Sequence, residues 1–189
     1  LGVAMNDRAE QRLRPRLVPD EALPPYAYVP GRSPHPTRHP RGHSFGAEPG
    51  RPERPDPRRW RTCRAYLYGV DLFNHGYYWE AHEVWEGLWH VSARRGPAGS
   101  FFKALIHLAA AGVKVREGKP RGVERHARRA AEFFGEAAVG LGSGGARYMG
   151  LGLEELAGRA RSIAARSPTG AAEQSYGPTV VFAFVLRPE

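Results

Sequence analysis

The chain has 189 residues, with 28 Lys and Arg against 19 Asp and Glu, a net charge of +9 and one cysteine, Cys63. This length suits one compact domain with an extension, and the single cysteine excludes both a disulfide framework and a thiolate metal cluster. The basic balance favours polyanions in general, although 25 Arg against three Lys also fits a coding bias.

Residues 1–20 are polar and are expected to be a disordered N-terminus, with a short helix over Asp7 to Leu13 as an option. Arg8, Arg12, Arg14 and Arg16 are candidates for a basic arm in this stretch. Met5 follows Leu1 closely, so residues 1–4 carry little weight as a true start. Residues 21–57 are rich in Pro, Gly and Arg. Twelve of the 17 prolines precede Trp60, which excludes long helices there because each proline removes a donor and clashes with the preceding turn. Tyr26, Tyr28, Val29 and Phe45 are side chains that let an extended arm pack on a domain.

From residue 58 to 165 the periodicity is helical. A first helix is expected from Pro57 or Arg58 to Asn74, ended by Gly76 in a left-handed cap. A second runs from Tyr77 to about Ser92. A third is expected to start with Ser100 as its N-cap, after a loop over 93–99, with Phe102, Leu105, Ile106, Ala109 and Val113 as its apolar stripe. A fourth covers about 120–139 and buries Val123, Ala127, Ala130, Phe134 and Ala138. A glycine-rich break and a shorter helix over about 153–165 follow. Residues 166–189 end in PTVVFAFVLRPE, which reads as an extended, strand-like tail laid on the bundle. Short connections between amphipathic helices imply antiparallel neighbours. The expected fold is all-α, a small antiparallel bundle of about five helices with a Pro-rich arm and an extended tail.

No apolar run approaches the ~18 residues of a membrane span, and no signal-peptide core opens the chain. The expectation is therefore no membrane partner and, by elimination, a cytoplasmic location.

The stretch EAHEVWEGLWH, residues 80–90, reads either as a chemical site or as an aromatic core helix that carries a histidine, with the second reading favoured. Advancing about 100° per residue puts Tyr78, Ala81, Trp85, Leu88 and Trp89 on a core face. His82 falls in the same sector, Glu86 at its margin and Glu83 further round, while Glu80 points to the opposite, solvated side. His82 and Glu86, one turn apart, can hydrogen-bond each other or hold a divalent metal. The second histidine of an H-E-x-x-H motif is replaced by Glu86 here. His35, His39 and His43 recur every four residues in the arm, and His35 or His43 is a candidate further ligand. Lys103, His107 and Lys114 share a flank of the third helix and are candidates for an anion site, against the default of a solvated flank. His126 and Cys63 read as structural.

The phrases FNHGYYWEAHEVWEGLW, residues 73–89, and FFKALIHLAAAGVKVREG, residues 101–118, resemble a bacterial family catalogued as domain of unknown function 309. The likeness covers about residues 60–140. It implies a small helical bundle and the label of predicted metal-dependent hydrolase, with shared polar residues at Asn74, Glu80, His82, Glu83 and Glu86 and a shared aromatic at Trp89. This chain departs in the second phrase, with Lys103 and His107 where glutamine is frequent and Ala104 in place of a glycine.

Two functions stay open, one enzymatic and one not. In the first, a divalent metal, zinc or similar, sits on His82 and Glu86 with His35 or His43, and Glu83 is the general base toward a water that the metal activates. Asn74, Glu80, Trp89, Lys103 and His107 line this site, and the substrate is an unspecified small molecule. In the second, the His/Glu/Trp cluster is a structural network in a binding module for an acidic partner. Nucleic acid is the less favoured partner, and a homo-oligomer is compatible with either.

Overall fold

The computed structural model describes residues 14–48, 50–142, 147–166 and 177–189. The expected helix over Asp7 to Leu13 and the start of the tail lie outside these residues.

Among the described residues, a 3-10 helix, Pro57–Thr62, precedes five α-helices. These are α1 Arg64–Asn74, α2 Tyr78–Val91, α3 Gly96–Arg116, α4 Pro120–Leu141 and α5 Leu153–Arg166. Each packs on the next in chain order. A two-stranded antiparallel hairpin, β1 Arg147–Tyr148 and β2 Leu151–Gly152, links α4 to α5. The fold is the all-α bundle that the periodicity predicts.

Three boundaries differ from expectation. The first helix is broken at Cys63, where ψ is 82°, and Asp56 caps the 3-10 turn by accepting the Arg58 N–H at 2.9 Å. α3 starts at Gly96, with Pro97 in its first turn, so Ser100 lies inside the helix and its hydroxyl donates to Glu136 on α4 instead of capping. The glycine-rich break holds the hairpin, whose turn places Met149 and Gly150 at φ of 47° and 80°.

The core is aromatic. Tyr66, Phe73, Trp85, Phe101, Phe102 and Phe134 are fully buried, and two glycines let the helices approach. A Cβ at Gly69 would lie 2.3 Å from the Trp85 indole nitrogen, and one at Gly112 would lie 2.5 Å from the Tyr78 ring. α3 also carries an 18-residue window apolar enough for a membrane span, unlike the expectation from the sequence. Of that window, 61% is buried inside the bundle, as befits its central helix.

Residues on both sides of the bundle sequence are tied to it. Residues 14–20, expected to be disordered, are packed. Buried Asp71 accepts the Leu17 and Val18 N–H groups and the Arg16 Nε, at 2.8, 3.0 and 2.9 Å. Arg14 donates to the carbonyls of Asn74, Phe182 and Phe184. Of the four arginines of the supposed basic arm, the two described ones are therefore spent on the fold. Further on, Ala27 and Val29 are buried. The tail lies against α1 and α2: Phe182 stacks on Phe73 at 5.7 Å, and the Tyr78 hydroxyl accepts the Val181 N–H. Gly76, at φ 86°, provides the left-handed cap of α1 and also passes the Thr179 backbone too closely for a Cβ.

Candidate metal centre on α2

The polar residues of α2 separate by burial, with Glu80 buried and His82, Glu83 and Glu86 nearer the surface. The burial of Glu80 is contrary to the wheel reading. It is 5% exposed, and its Oε1 accepts the Tyr28 N–H at 2.8 Å and faces His43 Nε2 at 3.3 Å. The arm covers this side of α2, and a wheel drawn for one helix cannot show that. Glu80 thus anchors the arm and is no solvated carboxylate.

The arm histidines are occupied on that same side. His43 Nδ1 pairs with the Ser44 hydroxyl at 2.9 Å, and its ring packs edge-on to Tyr26. The His35 ring packs against Tyr28 and Trp79, and its Nδ1 accepts the Thr37 N–H at 3.3 Å. Neither belongs to the ligand group of His82: His43 faces Glu80, and His35 packs its ring on Trp79. Asn74 is likewise architectural: its amide donates to the Leu186 carbonyl and accepts the Leu186 N–H, at 2.9 and 2.8 Å.

The second group stands at the surface. His82 and Glu86 are half-buried and Glu83 is exposed. One potential ligand atom from each lies within 4.8 Å of the other two. His82 Nδ1 is 3.4 Å from Glu83 Oε1, a charge-pair separation without hydrogen-bond geometry. That nitrogen is itself shielded from solvent and has no hydrogen-bond partner. His82 is half-buried at the border of the core, where the helical spacing puts it. One imidazole and two carboxylates make a donor set that suits a borderline divalent ion, and the orphaned nitrogen of His82 fits such a use.

Beside this group, two more helices contribute histidines. His107 on α3 and His126 on α4 bring their Nδ1 atoms to 3.0 Å. Burial pushes the His107 pKa down to about 4, with help from His126, Arg129, His82 and Lys103. His126 is lowered too, by burial first and then by Arg125, Lys114 and His82. In the neutral pair one Nδ1 donates and the other accepts. Lys103 Nζ stands 5.4 Å from the Trp89 ring and 5.2 Å from the Phe133 ring, so its charge rests on aromatic faces. Lys114 is paired with Glu117, which breaks up the anion site suggested by the spacing of Lys103, His107 and Lys114.

The family model described as Domain of unknown function (DUF309) matches residues 66–126. That segment is similar to the DUF309 domain. It contains Glu80, His82, Glu83, Glu86, His107 and His126. The arm that meets Glu80 and the tail that meets Asn74 lie outside the DUF309 match. No curated protein and no solved structure matches the chain.

His126 is the residue that sequence reasoning placed in the structural group although it stands in this cluster. Its position at the edge of the α4 apolar face was visible, but its meeting with His107 depends on how α3 and α4 align. Asp71 was also missed; a carboxylate inside YLYGVDLFN was the available signal.

Proposed function

We propose that the protein binds a divalent transition metal at His82 and Glu86, with Glu83 beside them as the general base, and that the centre serves metal-assisted hydrolysis of a small molecule. The observation that carries this reading is the convergence of three potential ligand atoms within 4.8 Å on the accessible side of α2. The family label in the resemblance points the same way but derives from the same motif, so the donor set has to carry the argument alone.

A divalent ion supplies Lewis acidity at neutral pH when bound. His82 contributes a neutral nitrogen and Glu86 a half-buried carboxylate whose charge offsets the ion. Glu83 is the most exposed of the three and is suited to take a proton from water at the solvent side. Lys103 stands over the ring of Trp89, three residues on from Glu86, and this pair would supply an apolar wall and a positive charge for an anionic substrate. The structural-network reading applies to Glu80, His43 and Asn74 instead, where the hydrogen bonds are buried and the partners are the arm and the tail.

The test is elemental analysis of tag-free protein purified from medium supplemented with Zn, Mn, Fe and Ni. Wild type is expected to carry close to one divalent ion per chain, and the His82→Ala/Glu86→Ala variant to carry none. Metal-free wild type that also shows no melting shift with those ions would end this reading.

A further inference from the structure

We infer that Ser44, His43 and Glu80 form a hydroxyl–imidazole–carboxylate relay, with Ser44 as a nucleophile toward small carboxylic esters. This goes beyond the metal reading and shares no residue with it. The contacts are those of an activated serine: Ser44 Oγ lies 2.9 Å from His43 Nδ1, and His43 Nε2 lies 3.3 Å from Glu80 Oε1.

The carboxylate decides which way this chain of contacts runs. Ionised Glu80 only accepts, so in the neutral ring Nε2 carries the proton and Nδ1 is bare. Nδ1 then accepts the Ser44 O–H, which is the tautomer a general base needs. The two ring nitrogens exchange the roles they have in the common serine triad, where the carboxylate faces Nδ1. Either nitrogen can take a proton, so the chemistry is the same. Burial is graded to suit it: the Glu80 and His43 side chains are 5% and 9% exposed, whereas Ser44 is half-buried and Phe45 is exposed. Glu80 Oε2 is shielded and has no hydrogen-bond partner among the described residues, so its charge is left to offset the one that develops on His43.

The loop is held before any ligand arrives. Ser44 N–H donates to the Pro36 carbonyl at 3.0 Å, and the Ser44 carbonyl accepts the Ala47 N–H at 3.2 Å. The Tyr26 ring packs edge-on to the His43 ring, 4.8 Å away. Phe45, next to the nucleophile, offers an apolar surface for an acyl group. In the reaction Ser44 Oγ bonds to the ester carbonyl carbon while its proton passes to His43 Nδ1. The ester C–O bond then breaks, and the leaving alcohol takes that proton. Water repeats both steps on the acyl-serine, which releases the carboxylic acid and restores the Ser44 O–H.

The experiment treats the full chain with a fluorescent alkyl fluorophosphonate in excess chelator, so that the α2 metal group takes no part. The labelling rate is measured and the labelled residue is located by mass spectrometry. Wild type, Ser44→Ala, His43→Gln and Glu80→Gln are compared, with limited proteolysis to confirm that the arm stays docked. Wild type is expected to be labelled at Ser44 and Ser44→Ala not at all. His43→Gln should label about 10²–10⁴-fold more slowly, as on loss of a positioned base. Should His43→Gln release the arm, Glu80→Gln decides. It keeps an oxygen for the Tyr28 N–H and for His43 and removes only the charge, so its arm should stay docked while labelling slows. No label on Ser44 in wild type would overturn the inference, as would labelling at the wild-type rate in Glu80→Gln. The Ser44 hydroxyl would then be one more hydrogen bond of the arm.

Discussion

Two carboxylates three residues apart, Glu80 and Glu83, do opposite work. Glu80 is buried and accepts the Tyr28 N–H, whereas Glu83 is exposed. Glu80→Ala should cost about 2–3 kcal/mol in urea unfolding, because the Tyr28 N–H loses its acceptor in a buried place. It should also make the arm a faster target for proteolysis. An unchanged unfolding midpoint would show that the arm does not depend on this anchor. His107 makes a second prediction at this scale, for metal-free protein. Its folded pKa of about 4 lies below the ordinary histidine value of 6.5. Between those values the unfolded chain binds a proton that the folded chain does not, so stability rises with pH across this window and is lost on acidification. His107→Gln should flatten that slope between pH 6.5 and 4, as measured by melting temperature against pH.

Small residues set how closely α2 and α3 approach. The Tyr78 ring occupies the space beside Gly112, and its hydroxyl is held by Val181 N–H, so it has little freedom to yield. Gly112→Ala should therefore push α2 away from α3 and cost about 1–3 kcal/mol, as overpacking does. Helix existence and order were legible in the sequence because each segment has a clear 3.6-residue periodicity. The start of α3 was not, because Ser100 is a good cap in isolation and nothing local reveals that Gly96 and Pro97 already begin the helix. The site was half legible: EAHEVWE marked His82, Glu83 and Glu86, but their separation from Glu80 depends on where the arm lies. The His107–His126 contact depends on α3 and α4 packing, which periodicity does not encode.

For the whole molecule, the arm and the tail act as two straps on one bundle. Arg14 donates to carbonyls of both α1 and the tail, and Asn74 holds Leu186 by two hydrogen bonds. Asn74→Ala should cost about 2–4 kcal/mol, because it leaves the Leu186 N–H and carbonyl buried without partners. The tail should then be clipped by protease while the helical circular dichroism persists. A tail that stays resistant would assign its hold to Phe182 stacking on Phe73. Architecture and the proposed chemistry thus fall to different residues of the same short phrase. Glu80 and Asn74 bind the straps, and His82, Glu83 and Glu86 are left at the surface.

The most direct test of that division is the melting temperature of wild type and His82→Ala, each with and without saturating zinc. Zinc at 100 times its Kd adds about 2.7 kcal/mol, which is about 5–10 °C for a chain of this size. Wild type should show that rise, while His82→Ala should melt like metal-free wild type and show no rise. If His82→Ala instead melts far below metal-free wild type, and zinc moves neither protein, then His82 is part of the architecture and α2 holds no metal.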